Sequence, residues 1–142
     1  MRKEKTMRKM NTLIAACAAL AACAASAGET VWLDSLNLDS MECGWGEAKK
    51  NLSVEGRKLR IGGKEFERGV GTHALSSYEV DCGGKAVAFD AIVGVDAEKA
   101  GSPASVRFFV KADGKSVAKS PVMRADTPPY ALHADLAGAR VV

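Results

Sequence analysis

Ala86-Val-Ala-Phe-Asp-Ala-Ile-Val-Gly-Val95 is the stretch of this sequence that decides its fold class. Every second residue in it is apolar, on a side made by Val87, Phe89, Ala91, Val93 and Val95. A period of two residues is typical of a β-strand with one face toward a core. The same alternation recurs at Val106, Phe108, Val110 and Ala112, with Arg107 and Lys111 on the other side, and at Leu59 and Ile61 around Arg60. These runs predict several short strands.

Glycine pairs and an Asp-Gly pair separate the apolar runs. They are Gly62-Gly63, Gly83-Gly84 and Asp113-Gly114. Two-residue hairpin turns need positive φ, which glycine adopts at no steric cost, so each pair predicts a hairpin. All 14 glycines lie in residues 28–142. Short strands with frequent turns predict an all-β sandwich or barrel, and 142 residues suffice for one such domain.

Residues 1–27 have the pattern of an export signal. Five basic residues before position 11 precede an apolar run from Thr12 to Ala25, and Ala25-Ser-Ala27 fits the A-x-A cleavage rule. We expect a signal helix here, with cleavage before Gly28, and a domain at 28–142. Leu20-Ala-Ala-Cys23 also matches a bacterial lipobox, so lipidation of Cys23 is the alternative. Either reading predicts a secreted, periplasmic or cell-surface protein.

The charge of the body argues against nucleic acid as a partner. The whole chain has a formal net charge of +3, but residues 28–142 carry 15 basic and 16 acidic side chains. A nearly neutral domain offers no electrostatic attraction for polyanions.

Cys43 and Cys82 are the two cysteines of the body. Export would permit a disulfide between them, and the alternative is two separate small apolar residues. The two cysteines and two histidines have no C-x-x-C or H-x-x-x-H spacing, so the sequence predicts no zinc site. It also has no G-x-S-x-G motif and no phosphate-binding glycine loop, and we expect no catalytic residues.

Three residues at turns are candidates for carbohydrate binding: Trp45, His73 and Asp96. Trp45, between two glycines, could stack on the C–H face of a pyranose, or it could plug the end of the core. His73 could hydrogen-bond a sugar hydroxyl or hold its loop. Asp96 could bind a hydroxyl or calcium, or cap a turn. Trp32 alternates with Leu33, and we expect it in the core.

The motifs together resemble the NPCBM family of carbohydrate-binding modules, which accompany secreted bacterial glycoside hydrolases. Six stretches carry the resemblance over about residues 31–142: Trp32-Leu-Asp-Ser-Leu36, Gly44-Trp-Gly46, Leu59-Arg-Ile-Gly-Gly63, Phe66-Glu-Arg-Gly-Val-Gly-Thr-His-Ala74, Phe89-Asp-Ala-Ile-Val-Gly-Val-Asp96 and Phe108-Phe-Val-Lys-Ala-Asp-Gly114. The resemblance implies a galactose-binding-like jelly-roll β-sandwich without catalytic activity. A glycan and a catalytic glycoside hydrolase domain would be its partners. We expect no cofactor, and the sequence does not decide whether a structural calcium ion binds.

The sequence departs from the family pattern at two places. Ala97 stands where the family commonly has a second acidic residue, and the family continues past the strand that begins near Arg140. We therefore expect a module whose last strand or strands are missing. The rival hypothesis is a structural or interaction sandwich at the cell surface, without a sugar site. An exposed Trp45 would favour sugar binding, and a buried Trp45 would favour the rival.

Overall fold

The computed structural model describes residues 28–142, and the predicted signal peptide and Cys23 lie outside them. Eight short strands make up most of the regular structure: β1 Lys49–Lys50, β2 Leu59–Ile61, β3 Lys64–Phe66, β4 Val70–Gly71, β5 Ala88–Val93, β6 Phe109–Ala112, β7 Lys115–Lys119 and β8 Tyr130–Asp135. Single 3-10 turns occupy Leu33–Ser35 and Ala97–Lys99. In this part of the chain no helix has the length and apolar character needed to cross a membrane. The prediction of an all-β architecture is confirmed.

Antiparallel pairing joins the strands. β5 pairs with β8 along their whole length, from Ala88 opposite Asp135 to Val93 opposite Tyr130. β2 and β3 form a hairpin across Gly62-Gly63, and β6 and β7 form one across Asp113-Gly114, both as predicted. β1 pairs with β4.

Gly83-Gly84 forms a turn but not the predicted hairpin. Both glycines have positive φ, 56° and 76°, and the Lys85 N–H donates to the Cys82 carbonyl. The segments on either side pair elsewhere, because β5 pairs with β8 and the Cys82 N–H donates to Arg140. The prediction of a turn at Gly83-Gly84 is therefore confirmed, and the prediction that its two flanking segments pair with each other is wrong.

The core lies between the inward faces of β5, β6 and β8. Its buried members are Val110, Leu132, Ala134, Leu136 and Ala139, and partly buried side chains around them include Phe89, Val93, Phe108 and Ala112. The predicted inward faces are therefore confirmed, except for Val87. Val87 precedes β5 and is 70% exposed, and its carbonyl accepts from the Leu136 N–H.

The C-terminal segment runs antiparallel to residues 80–82. Val80 and Val142 exchange two backbone hydrogen bonds of 2.8 and 3.1 Å, and the Asp113 N–H donates to the Val141 carbonyl. The turn before it has Gly138 at a φ of 76°. The predicted apolar strand at the end of the chain thus forms pairing contacts. The expectation that the last strand or strands of the module are missing stays a prediction.

The prediction that Trp32 lies in the core is wrong. Its side chain is 52% exposed, and the Arg68 guanidinium lies over its ring, 4.4 Å from the ring centroid. Arg68 also donates two hydrogen bonds of 3.1 Å to the buried Asp34. These bonds hold the pKa of Asp34 below its usual value, against the opposing effect of desolvation. A cation over one ring face, rather than core packing, covers this indole.

Candidate functional site

Two loops in contact carry two of the three predicted site residues. We call residues 42–46 the tryptophan loop and residues 72–77 the histidine loop. Glu42 and Ser77 exchange backbone hydrogen bonds of 2.8 and 3.2 Å, and the Gly44 N–H donates to the His73 carbonyl at 3.1 Å. The Ser77 hydroxyl also donates to the Glu42 carboxylate at 2.8 Å. The loops are therefore fixed to each other at two points.

Gly44 allows the loops to approach this closely. A Cβ atom at position 44 would lie 2.5 Å from the Ala74 carbonyl oxygen and 2.7 Å from the Leu75 nitrogen. Both are backbone atoms, which cannot rotate away. Any side chain at position 44 would push the histidine loop from the tryptophan loop.

Trp45 lies at the surface beside His73. Its side chain is 58% exposed, and the centroid of its ring lies 6.0 Å from that of His73, with a tilt of 59° between the two planes. The interpretation of Trp45 as a core plug is therefore wrong. An exposed indole held next to an imidazole offers a flat apolar surface with a polar group at its edge.

His73 uses one ring nitrogen to hold its own loop. Its Nδ1 lies 2.6 Å from the Ala74 carbonyl oxygen. Because a carbonyl oxygen only accepts, this contact places a proton on Nδ1, and the neutral ring then has Nε2 as an acceptor. Such an acceptor can receive a hydrogen bond from a hydroxyl group of a bound molecule.

The Cys43 thiol forms hydrogen bonds with both loops. It donates to the Trp45 carbonyl at 3.0 Å and accepts from the Thr72 hydroxyl at 3.3 Å and the His73 N–H at 3.4 Å. Partial burial raises the pKa of Cys43, but hydrogen bonds from Thr72 and His73 outweigh it, so this pKa lies below its ordinary value. Cys43 thereby contributes to the relative position of Trp45 and His73.

The disulfide between Cys43 and Cys82 does not form in this structure, where both thiols are free. Cys43 is engaged by the histidine loop, whereas Cys82 lies in the segment that pairs with Arg140 and directs its thiol to the Val80 carbonyl. Cys43, with its hydrogen bonds, also differs from the small apolar residue of the alternative, and a disulfide under oxidising conditions stays a prediction.

Replacing Cys43 by valine is expected to loosen Trp45, because valine can neither donate to Trp45 nor accept from Thr72 and His73. The free energy of unfolding should fall by about 0.5–1.5 kcal/mol for each hydrogen bond lost. Iodide quenching of Trp45 fluorescence, measured with Trp32 replaced by phenylalanine, should increase.

Cys43→Ser, whose hydroxyl donates and accepts in the same directions, should keep the parent quenching. Cys82→Val is the matched control, since its thiol makes one long contact of 3.6 Å, to Val80. Equal quenching in Cys43→Val and the parent would show that the thiol has no positioning role.

Asp96 is not part of this two-loop site. Its two carboxylate oxygens accept from the Glu98 N–H at 3.0 Å and the Arg60 N–H at 2.9 Å. It thus caps the turn Ala97–Lys99 and ties it to β2, as the capping alternative predicted. Within residues 28–142 no group of three His, Cys, Asp or Glu side chains is arranged to hold a metal ion.

Leu75 is a residue that the sequence analysis missed. It is 91% exposed and follows Ala74 in the histidine loop. No alternation or motif singles out an apolar residue at a loop tip, so only the structure shows it. For Cys43 the sequence does carry an indication of a role beside Trp45, because it lies two residues before that tryptophan in Cys43-Gly-Trp-Gly46.

The sequence profile of the NPCBM/NEW2 domain family matches residues 29–142. A Renibacterium salmoninarum protein, assigned as an endo-alpha-N-acetylgalactosaminidase, is 32% identical over 105 residues, which cover 70% of this chain and 7% of that protein. The match therefore spans a small part of the relative's length.

Solved structures from Clostridium perfringens have the same fold. CBM51 from GH95, in complex with methyl-galactose, is 32% identical with a TM-score of 0.70, and the match covers 78% of this chain and 81% of that one. CBM51-2 of ZmpB, solved with GlcNAc and INT domains, is 33% identical with a TM-score of 0.71, covering 78% of this chain and 25% of that one. A longer ZmpB structure includes an M60 catalytic domain beside two CBM51 domains.

These findings confirm the resemblance stated from the motifs. They also confirm the predictions of a carbohydrate-binding module associated with glycoside hydrolases and of a chain without catalytic function, since the family and its solved neighbours are binding modules.

Proposed function

Because this chain belongs to the NPCBM/NEW2 domain family and is a non-catalytic carbohydrate-binding module, we propose that its glycan binds on the surface shared by Trp45 and His73. The single observation that carries this proposal is the exposed Trp45 indole, held 6.0 Å from the His73 ring by two loops in contact. Asp96 is not assigned to this surface, because its carboxylate accepts from the Arg60 and Glu98 N–H groups, in a different part of the fold from the two loops.

The chemistry of the two side chains suits a pyranose. The apolar C–H face of the sugar packs on the indole, which removes apolar area of both groups from water. Nε2 of His73 accepts a hydrogen bond from a sugar hydroxyl at the edge of the indole. Binding is weak, with Kd on the order of millimolar, because each hydroxyl exchanges water for protein at little net gain.

The relatives suggest the class of sugar. Their structures were solved with methyl-galactose and with GlcNAc, so the ligand of this chain is proposed to be a hexopyranose or a 2-acetamido hexopyranose. Partnership with a catalytic glycoside hydrolase domain is proposed from the Renibacterium salmoninarum relative. Export, with cleavage of residues 1–27 before Gly28 or lipidation of Cys23, is proposed from the leader.

The proposal is tested by titrating the protein with galactose and GlcNAc while following amide and imidazole resonances by NMR. We expect saturable shifts around Trp45 and His73. Replacing His73 by alanine should weaken affinity about two- to tenfold, the value of one neutral hydrogen bond.

The matched control is His133→Ala. His133 lies on the outer face of β8, paired with Asp90 at 2.7 Å, and its side chain is 65% exposed. Its removal should leave sugar affinity unchanged. Equal effects of the two substitutions would place the binding surface elsewhere, and a parent protein that bound no glycan on a broad array would leave the interaction module as the better hypothesis.

A further inference from the structure

Leu75 presents an apolar side chain to solvent next to the proposed sugar site. Leu75 is 91% exposed, a larger fraction than that of any other large apolar residue within residues 28–142, and Val87 follows at 70%. A single exposed leucine is unremarkable by itself. The position of this leucine, two residues after His73 and with its backbone nitrogen against Gly44, is the feature that needs an explanation.

The backbone around Leu75 is held in place. The carbonyl of His73 accepts from Gly44 on one side, and Ser77 exchanges two backbone hydrogen bonds with Glu42 on the other. The Leu75 nitrogen itself lies 2.7 Å from the position of a Cβ on Gly44, the residue that precedes Trp45. Leu75 is therefore presented by a fixed loop tip beside the tryptophan loop and has no neighbour to cover it.

We propose that Leu75 is a specificity-determining residue of this site, which contacts a methyl group carried by a sugar stacked on Trp45. The inference rests on the proposed function. Contact with leucine removes the apolar area of a methyl group from water, which favours binding, whether the methyl belongs to an acetamido substituent or to a 6-deoxy sugar. A hydroxyl group at the same place gains no free energy from the contact, because leucine offers it no hydrogen bond. Burying one such group is worth about a three- to fourfold preference in affinity.

The test compares sugars that differ by one substituent. Affinities for galactose, N-acetylgalactosamine and D-fucose, which is 6-deoxygalactose, are measured by NMR titration of the parent, Leu75→Ser and Leu75→Ile. In the parent we expect a preference of about three- to fourfold over galactose for at least one of the methyl-bearing sugars. The sugar that shows it identifies the source of the methyl group.

In Leu75→Ser this preference should fall to about one, while the affinity for galactose stays at the parent value because Trp45 and His73 are unchanged. Leu75→Ile should retain the preference. Val87→Ala is the matched control, since Val87 is also exposed but precedes β5. All variants should fold, because Leu75 packs against little, and thermal midpoints check this.

Four results would overturn the proposal. An unchanged preference in Leu75→Ser, or an equal loss for all three sugars, would remove Leu75 as a specificity determinant while leaving the sugar site in place. The absence of any preference in the parent would do the same. A parent that bound none of the three sugars and no other glycan would overturn the proposed function, and this inference with it.

Discussion

Replacement of Trp45 by alanine is expected to lower the affinity for glycan about 5- to 30-fold and to leave the fold intact. The affinity loss corresponds to about 1–2 kcal/mol, the stacking contribution of an aromatic ring together with the apolar area it covers. Trp45 is 58% exposed and does not belong to the core cluster. Its removal should therefore change the free energy of unfolding by less than about 1 kcal/mol.

Trp32→Ala is the matched control for this experiment. Trp32 is also exposed, at 52%, but it lies under Arg68 and away from the two-loop site. Isothermal titration calorimetry and thermal unfolding are measured on both variants and the parent. If Trp45→Ala lost about 3–5 kcal/mol of stability, the indole would be a structural plug. Equal loss of affinity in the two variants would also contradict the proposed stacking surface.

Replacement of Met123 by alanine is expected to cost about 2–5 kcal/mol of stability, as deletion of a fully buried side chain does. Met123 is 0% exposed, and its N–H and carbonyl are both paired with Val106, at 2.8 and 2.9 Å. Because this pairing holds the backbone, the chain cannot collapse freely into the space left by the side chain. The thermal midpoint should fall on the order of 10–20 °C.

Val122→Ala is the control, because Val122 is the neighbouring residue and is 51% exposed. It should change stability by less than about 0.5 kcal/mol. The free energies of unfolding come from urea titrations of all three proteins. A Met123→Ala protein as stable as the control would mean that the site repacks or that Met123 is not buried in solution.

Much of the local structure could be predicted. The alternation in Ala86–Val95 predicted the partly buried face of β5, and Gly62-Gly63 and Asp113-Gly114 predicted two hairpins that the structure contains. These features depend on residues that are neighbours in the sequence, so the sequence pattern predicts them directly. The spacing of the motifs also predicted the family, and the glycine-flanked turns around Trp45 and His73 indicated two candidate residues whose rings lie 6.0 Å apart in the structure.

Features that depend on distant residues could not be predicted. Gly83-Gly84 looked like a hairpin turn, yet the pairing of Cys82 with Arg140 gives its flanks other partners. Trp32 looked like a core residue because an apolar ring in an alternating pattern suggests burial. In the structure Trp32 is half exposed, and what covers one face of its ring is Arg68, 36 positions later in the sequence.

The sequence by itself determined the all-β class, two hairpin turns and the family, since each is encoded by residues close together or by an ordered set of motifs. It also singled out Trp45 and His73, two residues at turns, as candidates for the proposed site. Only the tertiary structure decided that Trp45 is exposed, that His73 lies beside it while Asp96 caps a distant turn, and that Cys43 and Gly44 hold the two loops together. The physical reason is that a short polar or aromatic side chain has several satisfactory environments. Which one it occupies depends on backbone groups that folding brings near it, such as the Ala74 carbonyl at the His73 ring.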